Sequence, residues 1–172
     1  PPVVTGYLLL LSFGTRGPIG GPLEEMGIVF AFRWTGAALA AGVMAFPFMV
    51  RAIRLAVEAV DPRLEAAAAT LGAAPARVFL TVTLPLIAPG ILAGAVLAFA
   101  KGMGEFGATI TFVSNIPGQT QTLPLAIDVL IQTPGGAARA ATLAAISLGV
   151  AAAALVVSEI AARRIAARIT AG

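Results

Sequence analysis

Charged and hydrogen-bonding side chains gather between residues 101 and 115 of an otherwise apolar sequence. Lys101 and Glu105 lie four residues apart, so on a helix their side chains would be close enough to pair. Neutral polar groups and glycines with unshielded backbone N–H groups accompany them, a lining that could pass a tetrahedral oxyanion but would also suit sugars, amino acids or water. The candidate residues for a translocation pathway or gate are Gly104, Glu105, Gly107, Thr109, Thr111, Ser114 and Asn115.

The charged pair itself has two interpretations. Lys101 follows Pro85 by sixteen residues, about 24 Å at the helical rise, which places both charges near the outer face of a membrane. Either the pair snorkels to the interface, or it belongs to a gate or pathway, since ionisable groups within membranes are functional candidates. Glu105 argues against an anionic substrate lodged directly beside it.

The residue types do not indicate an enzyme. The chain has no His and no Cys, which excludes disulfides, thiolate chemistry and the usual zinc sites. Near the outer side Glu105 and Asp128 are acidic, and no acid, base and nucleophile occur together. We therefore predict no catalytic residue, no metal ligand and no cofactor in this chain.

The composition is that of an integral membrane protein. Hydrophobic residues make up 59% of the 172 residues, charged residues only 11%, and the mean hydropathy is +0.97. Soluble domains average about 25% charged residues, so much of this surface must face lipid. The net charge of +3 is small and the basic residues are dispersed, so nucleic-acid binding is not indicated.

Uncharged stretches predict an all-α, polytopic transmembrane helix bundle that occupies residues 1–172 as one domain. The predicted spans are residues 1–12, 34–54, 84–106 and 138–160. The first span is short and the chain begins at Pro1-Pro2 without Met, so we expect an N-terminal truncation. Gly90, Gly94 and Ala98 recur every four residues, which predicts close packing of helix backbones.

Basic residues predict the orientation of these spans. Positively charged side chains favour the cytoplasmic side, and seven of the eleven fall on one side if the spans alternate. These seven are Arg51, Arg54, Arg63, Arg77, Arg163, Arg164 and Arg168. We therefore expect a cytoplasmic loop at residues 61–83, a cytoplasmic C-terminus, and external segments at residues 14–33 and 114–139.

The cytoplasmic loop reads as two short helices joined by a bend. Asp61-Pro62 is a favourable helix start, Gly72 suits a left-handed C-terminal residue, and Ala74-Pro75 starts a second helix. The first helix has an almost bare alanine face over residues 66–69. Composition alone leaves two roles open for it: docking into a groove of another protein, or anchoring on lipid headgroups.

The same loop resembles the coupling loop of ABC importer permeases of type I. That family has Glu-Ala-Ala, three residues, Gly, nine residues, then Ile-x-Leu-Pro; here Gly72 precedes Val82-Thr83-Leu84-Pro85 by the same nine residues. Glu65 departs from the pattern, because it lies one position before the expected acid. The resemblance implies an ATPase-docking loop formed by Glu65, Ala66, Ala67, Ala68, Gly72, Ala73, Pro75, Arg77, Leu84 and Pro85.

Further runs resemble the permease subunits of bacterial molybdate importers. They include Ser114-Asn115-Ile116-Pro117-Gly118 and Ile131-Gln132-Thr133-Pro134-Gly135-Gly136. Sulfate and thiosulfate permeases share a Gly-Glu-aromatic-Gly element, and tungstate is not separable from molybdate on these grounds. The resemblance implies import across the inner membrane by alternating access. It also implies a permease homodimer, two ATP-binding cassette subunits that carry ATP and Mg, and a periplasmic molybdate-binding protein.

Two other classes of function fit the sequence less well. A secondary transporter or channel would favour charges within several spans and inverted repeats. Here Lys101 and Glu105 are the only charges that we interpret as intramembrane, and no repeat is evident. An intramembrane enzyme would need an acid, a base and a nucleophile close together, and the sequence shows no such set.

Overall fold

The computed structural model describes the backbone of residues 1–170 and the side chains of residues 1–164, and its regular elements are helices. They are α1 (Pro2–Phe13), α2 (Gly20–Glu25), α3 (Trp34–Glu58), α4 (Pro62–Thr70), α5 (Pro75–Val78), a π segment (Phe79–Thr83), α6 (Leu84–Met103), α7 (Gly107–Val113), α8 (Leu123–Gln132) and α9 (Ala137–Thr170).

Three helical stretches are long and apolar enough to cross a membrane. They are Trp34–Glu58, Pro75–Met103 and Ala137–Arg164. The predicted all-α polytopic fold is therefore confirmed, with different span ends. The helix from residue 34 continues to Glu58, and α6 ends at Met103 instead of residue 106, because residues 104–106 leave the helix and lead into α7.

Two compact units share the chain. The first comprises residues 1–46 and 99–151, and its core joins α7 to α1 and the start of α3. Gly6 allows α1 to approach α7 closely: a Cβ there would lie 2.5 Å from the Ala108 carbonyl oxygen. Phe13 and Phe30 meet edge to face with ring centroids 5.7 Å apart. The buried core residues are Leu9, Ala31, Ala37, Ala40, Ala108, Phe112 and Val113.

The second unit comprises, within the described residues, 47–98 and 152–170, and contains the predicted cytoplasmic loop. Its α3 and α6 portions pack through small residues. A Cβ added at Gly94 would lie 2.8 Å from Ala52 Cβ, and one at Gly90 would collide with Ala56 Cβ. Close backbone packing is thereby confirmed at both glycines.

The long helix α9 carries charges near both ends of its apolar stretch. Arg139 lies in its first turn, and Glu159 pairs with Arg163 at 2.6 Å on an exposed surface. Arg168, which entered the orientation prediction, lies outside the residues whose side chains are described. The orientation itself stays a prediction.

Candidate functional site

The first arm of the loop is the helix α4, and local chemistry sets its start. Asp61 Oδ1 accepts a hydrogen bond from the Arg63 backbone N–H at 2.9 Å, and Pro62 occupies the first helical position. The carboxylate satisfies one free donor of the helix N-terminus, and proline lacks the N–H that would otherwise be left free there. The predicted helix start at Asp61-Pro62 is therefore confirmed. Its bare face is accessible, since the exposed alanines include Ala66, Ala67 and Ala69.

A tight bend follows the first arm. Gly72 has φ +82°, the left-handed conformation predicted for it, and a Cβ there would meet nothing within 4 Å. Leu71 beside it is 89% exposed. Glycine is thus required here by backbone conformation and not by crowding, and the tip of the loop presents an apolar side chain to its surroundings.

The second arm continues without interruption into the spanning helix. It starts at Pro75 after the extended Ala74, and passes through the π segment into α6. The Leu84 N–H closes the wide turn on the Phe79 carbonyl. The ring of Pro85 would collide with a carbonyl one turn earlier in a regular α-helix, and a widened turn relieves that crowding. The π segment was not predicted; Pro85 was the signal for it.

Glu65 links the two arms of the loop. Its Oε1 accepts a hydrogen bond from Thr83 Oγ1 at 2.5 Å, and Thr83 is only 5% exposed. Glu65 lies in the first turn of α4, and Thr83 is the last residue of the π segment. Its predicted contact with a partner stays a prediction, but within this chain the carboxylate is engaged inside the loop.

In the first unit, the buried carboxylate of Glu105 connects Lys101 to the start of α7. Its Oε2 lies 3.0 Å from Lys101 Nζ, which confirms the predicted pair. Its Oε1 accepts the Ala108 backbone N–H at 2.9 Å, and the residue is 2% exposed. The carboxylate thus satisfies the start of α7, and both interpretations of the pair, an interfacial one and a gate or pathway, stay predictions.

Among the candidate pathway hydroxyls, Thr109 is buried and Thr111 bonds within its own helix. Thr109 is buried beside the core residues Ala108 and Phe112. Thr111 Oγ1 donates to the Gly107 carbonyl at 2.8 Å, one helical turn back. These side chains contribute to the packing of α7, and their predicted role in a pathway is not tested by this arrangement.

A polar turn follows α7 and is ordered by Thr120, which sequence reasoning missed. Thr120 Oγ1 accepts the Ile116 N–H at 2.9 Å and donates to the Ser114 carbonyl at 3.3 Å. Asn115 donates to the Leu125 carbonyl at 3.3 Å and accepts from Gln121 Nε2 at 3.1 Å. Both the nitrogen and the oxygen of the Asn115 side-chain amide therefore have hydrogen-bond partners.

Two cavities of the first unit are bordered by candidate segments. One, of about 610 Å³, is mainly apolar and includes Gly104, with Asp128 and Ser147 as its other polar contributors. The second, of about 570 Å³, joins both predicted external segments. Its lining is Val29, Ala31, Phe32, Arg33, Trp34, Gly118 and Gln119. Among the described residues, no group of three His, Cys, Asp or Glu side chains could hold a metal.

A coupling-type loop continuous with a spanning helix is expected of a transporter subunit, and comparison with known proteins agrees. Residues 1–170 match the family "Binding-protein-dependent transport system inner membrane component". The chain belongs to this family. As an inner membrane component, it is a multi-pass membrane protein and a membrane subunit instead of a catalytic one.

Named relatives of this inner membrane component are permeases. It is 64% identical to the molybdenum transport system permease protein of Escherichia coli (strain K12) over 160 residues, which are 92% of this chain and 70% of that protein. The corresponding Haemophilus influenzae protein is 55% identical over 160 residues, with the same coverage. Chloroplastic sulfate permease 2 of Chlamydomonas reinhardtii is 43% identical over 151 residues, 86% of this chain and 41% of that protein.

Proposed function

We propose that this chain is the membrane-spanning permease subunit of an ATP-driven importer that carries molybdate across the cytoplasmic membrane by alternating access. The identity to molybdenum permeases over 92% of the chain supports the substrate. The observation that carries the mechanism is the unbroken helix from Pro75 to Met103, since it makes the loop and a spanning helix one body.

Two copies of the chain form the pathway, and two ATP-binding cassette subunits dock at the loops and hold ATP and Mg. The bare face of α4 favours this role, because alanine lets a partner approach the helix backbone closely. An interfacial anchor would instead carry large apolar side chains on that face, where residues 66–69 are all alanine. Closure of the ATPase subunits then displaces the loop, and the continuous helix carries that displacement into the membrane.

A periplasmic binding protein delivers the anion to the outer face. The cavity that includes Arg33 and Gln119 supports this step, because it joins residues from both predicted external segments and presents one exposed cation. Exposed charges on a docking surface chiefly set the rate and specificity of association. The C-terminus and the loop then lie in the cytoplasm.

Sulfate is the second candidate substrate, and tungstate the third. The likeness to a sulfate permease favours keeping sulfate in the test, although its identity is lower and it covers less of both chains. Molybdate, tungstate and sulfate are tetrahedral dianions, so neutral hydrogen-bonding groups alone would separate them weakly.

The test is uptake in proteoliposomes that contain the full permease, its ATPase subunits and its binding protein. We expect ATP-dependent uptake of labelled molybdate that excess tungstate inhibits and excess sulfate does not. Liposomes with the chain alone serve as the control and should show no flux. Uptake of molybdate down its gradient without the ATPase would contradict the proposal, and preferential uptake of sulfate would replace its substrate.

A further inference from the structure

Among the described residues, Thr83 is the helical residue whose hydroxyl donates to another side chain and not to a backbone carbonyl. Hydroxyls on helices usually donate to the carbonyl four residues earlier, which satisfies them within their own helix. Thr83 does not follow this pattern, since its hydroxyl donates to the carboxylate of Glu65, eighteen residues away. The residues that follow the pattern are Thr81, Thr111, Thr133, Thr142 and Ser147.

The covalent connection between the two arms of the loop is a short, exposed bend, held by backbone hydrogen bonds from Gly72 to Ala69 and from Ala73 to Ala68. It passes through the bend at Gly72, where a Cβ would touch nothing within 4 Å, and beside the exposed Leu71. Among the described side chains, the Glu65–Thr83 bond is the one hydrogen bond that crosses from α4 to the second arm. This bond therefore gives a push on α4 a second path to the spanning helix, one that does not pass through the bend.

The position of Thr83 strengthens this view. It ends the π segment, directly before α6, and is buried. Widened turns of this kind occur often at functional positions, and here the widened turn lies where the loop meets the spanning helix. A hydrogen bond to an ionised group is among the stronger polar contacts, and the low exposure of Thr83 limits competition from water.

We propose that the Glu65–Thr83 hydrogen bond transmits motion from α4 to α6, and that Glu65 is a positioning residue instead of a contact to the ATPase. The inference rests on the proposed function and extends it. It separates two roles within the loop: the exposed alanine face binds the partner, and the Glu65 carboxylate holds the binding helix to the base of the spanning helix.

The experiment compares Thr83→Val with Thr83→Ser in the complete transporter. Valine keeps the shape of threonine but removes the donor, whereas serine keeps the donor. We expect Thr83→Val to bind the ATPase subunits in the parental ratio while molybdate transported per ATP hydrolysed falls about tenfold. Thr83→Ser should match the parent in both measurements.

Variants at Glu65 test the bond from its other end. Glu65→Gln keeps an acceptor oxygen and should retain most of the coupling. Glu65→Ala should lose coupling to the same extent as Thr83→Val, and the double variant should be no worse than either, because both changes remove one interaction. If the Thr83→Val transporter does not assemble, Glu65→Ala still tests the bond, because it changes a residue on a short surface helix instead of the buried Thr83.

The outcomes separate this inference from the proposed function. Normal coupling in Thr83→Val, or reduced ATPase binding in Glu65→Ala with no change in Thr83→Val, overturns the positioning role alone. Absence of ATP-dependent molybdate uptake in the parent transporter overturns the proposed function, and this inference with it.

Discussion

Lys101 and Glu105 form an ion pair in which the carboxylate is almost fully buried and the ammonium is only partly so. The Nζ to Oε2 distance is 3.0 Å, and the two side chains are 33% and 1% exposed. The second carboxylate oxygen accepts the Ala108 N–H, so Glu105 connects the end of α6 to the first turn of α7. Loss of Lys101 and loss of Glu105 should therefore have unequal effects on stability.

Replacement of Lys101 by Met should destabilise the protein by about 2 kcal/mol. Breaking a buried pair typically costs about 3–5 kcal/mol, and partial exposure of Lys101 reduces this. Thermal unfolding in detergent measures the change, with Lys101→Arg as the charge-preserving control. The double variant Lys101→Met/Glu105→Gln should recover part of the loss, because it removes the uncompensated charge. A double variant less stable than Lys101→Met would contradict this account.

Gly6→Ala should destabilise the first unit by about 1–3 kcal/mol through overpacking. The added Cβ would meet the backbone of Ala108, which cannot move aside as a flexible side chain does. Gly42→Ala is the matched control, since its Cβ meets nothing within 4 Å and alanine favours the helix by about 0.5–1 kcal/mol. Thermal unfolding of both variants gives the comparison, and equal shifts would refute the close approach of α1 to α7.

Gly72→Val should uncouple ATP hydrolysis from transport. Its φ of +82° is unfavourable for a β-branched residue, so the bend would change its direction even though space is available. Gly72→Asn is the control, because asparagine tolerates the left-handed conformation. Parallel assays of ATPase rate and molybdate uptake test this. Unchanged uptake by Gly72→Val at normal expression would count against the bend's assigned role.

Arg33→Ala should weaken use of the binding protein without slowing the loaded transporter. We expect about a tenfold rise in the binding-protein concentration needed for half-maximal uptake, with maximal uptake unchanged and the difference reduced at high salt. Arg16→Ala is the control, since Arg16 is exposed but does not line the Arg33 cavity. Equal effects of the two variants would show that the cavity has no special role.

Features set by neighbouring residues could be predicted from the sequence. Asp61-Pro62 as a helix start and Gly72 as a left-handed bend depend on short-range chemistry, and so does the spacing that lets Lys101 reach Glu105. The apolar spans follow from length and composition, because a membrane leaves few alternatives to a helix.

Features set by distant contacts could not be predicted. The Glu65–Thr83 bond joins residues far apart in sequence, and the burial of Glu105 depends on how α7 packs against α1. Thr111 is an intermediate case: its bond to the Gly107 carbonyl is the usual behaviour of a helical hydroxyl and could have been expected. The residue types indicated charged and hydrogen-bonding side chains between residues 101 and 115. They did not indicate which of these side chains would be bonded within the chain.

The charges on α9 have a consequence for the lipid that surrounds the protein. Arg139 and Glu159 are twenty residues apart, about 30 Å along a helix, and the hydrocarbon core of a typical bilayer is also about 30 Å thick. The uncharged length thus matches an average membrane without tilt. In thinner bilayers the helix would have to tilt or gather thicker lipid around it, so lipid chain length becomes a variable that tunes this subunit.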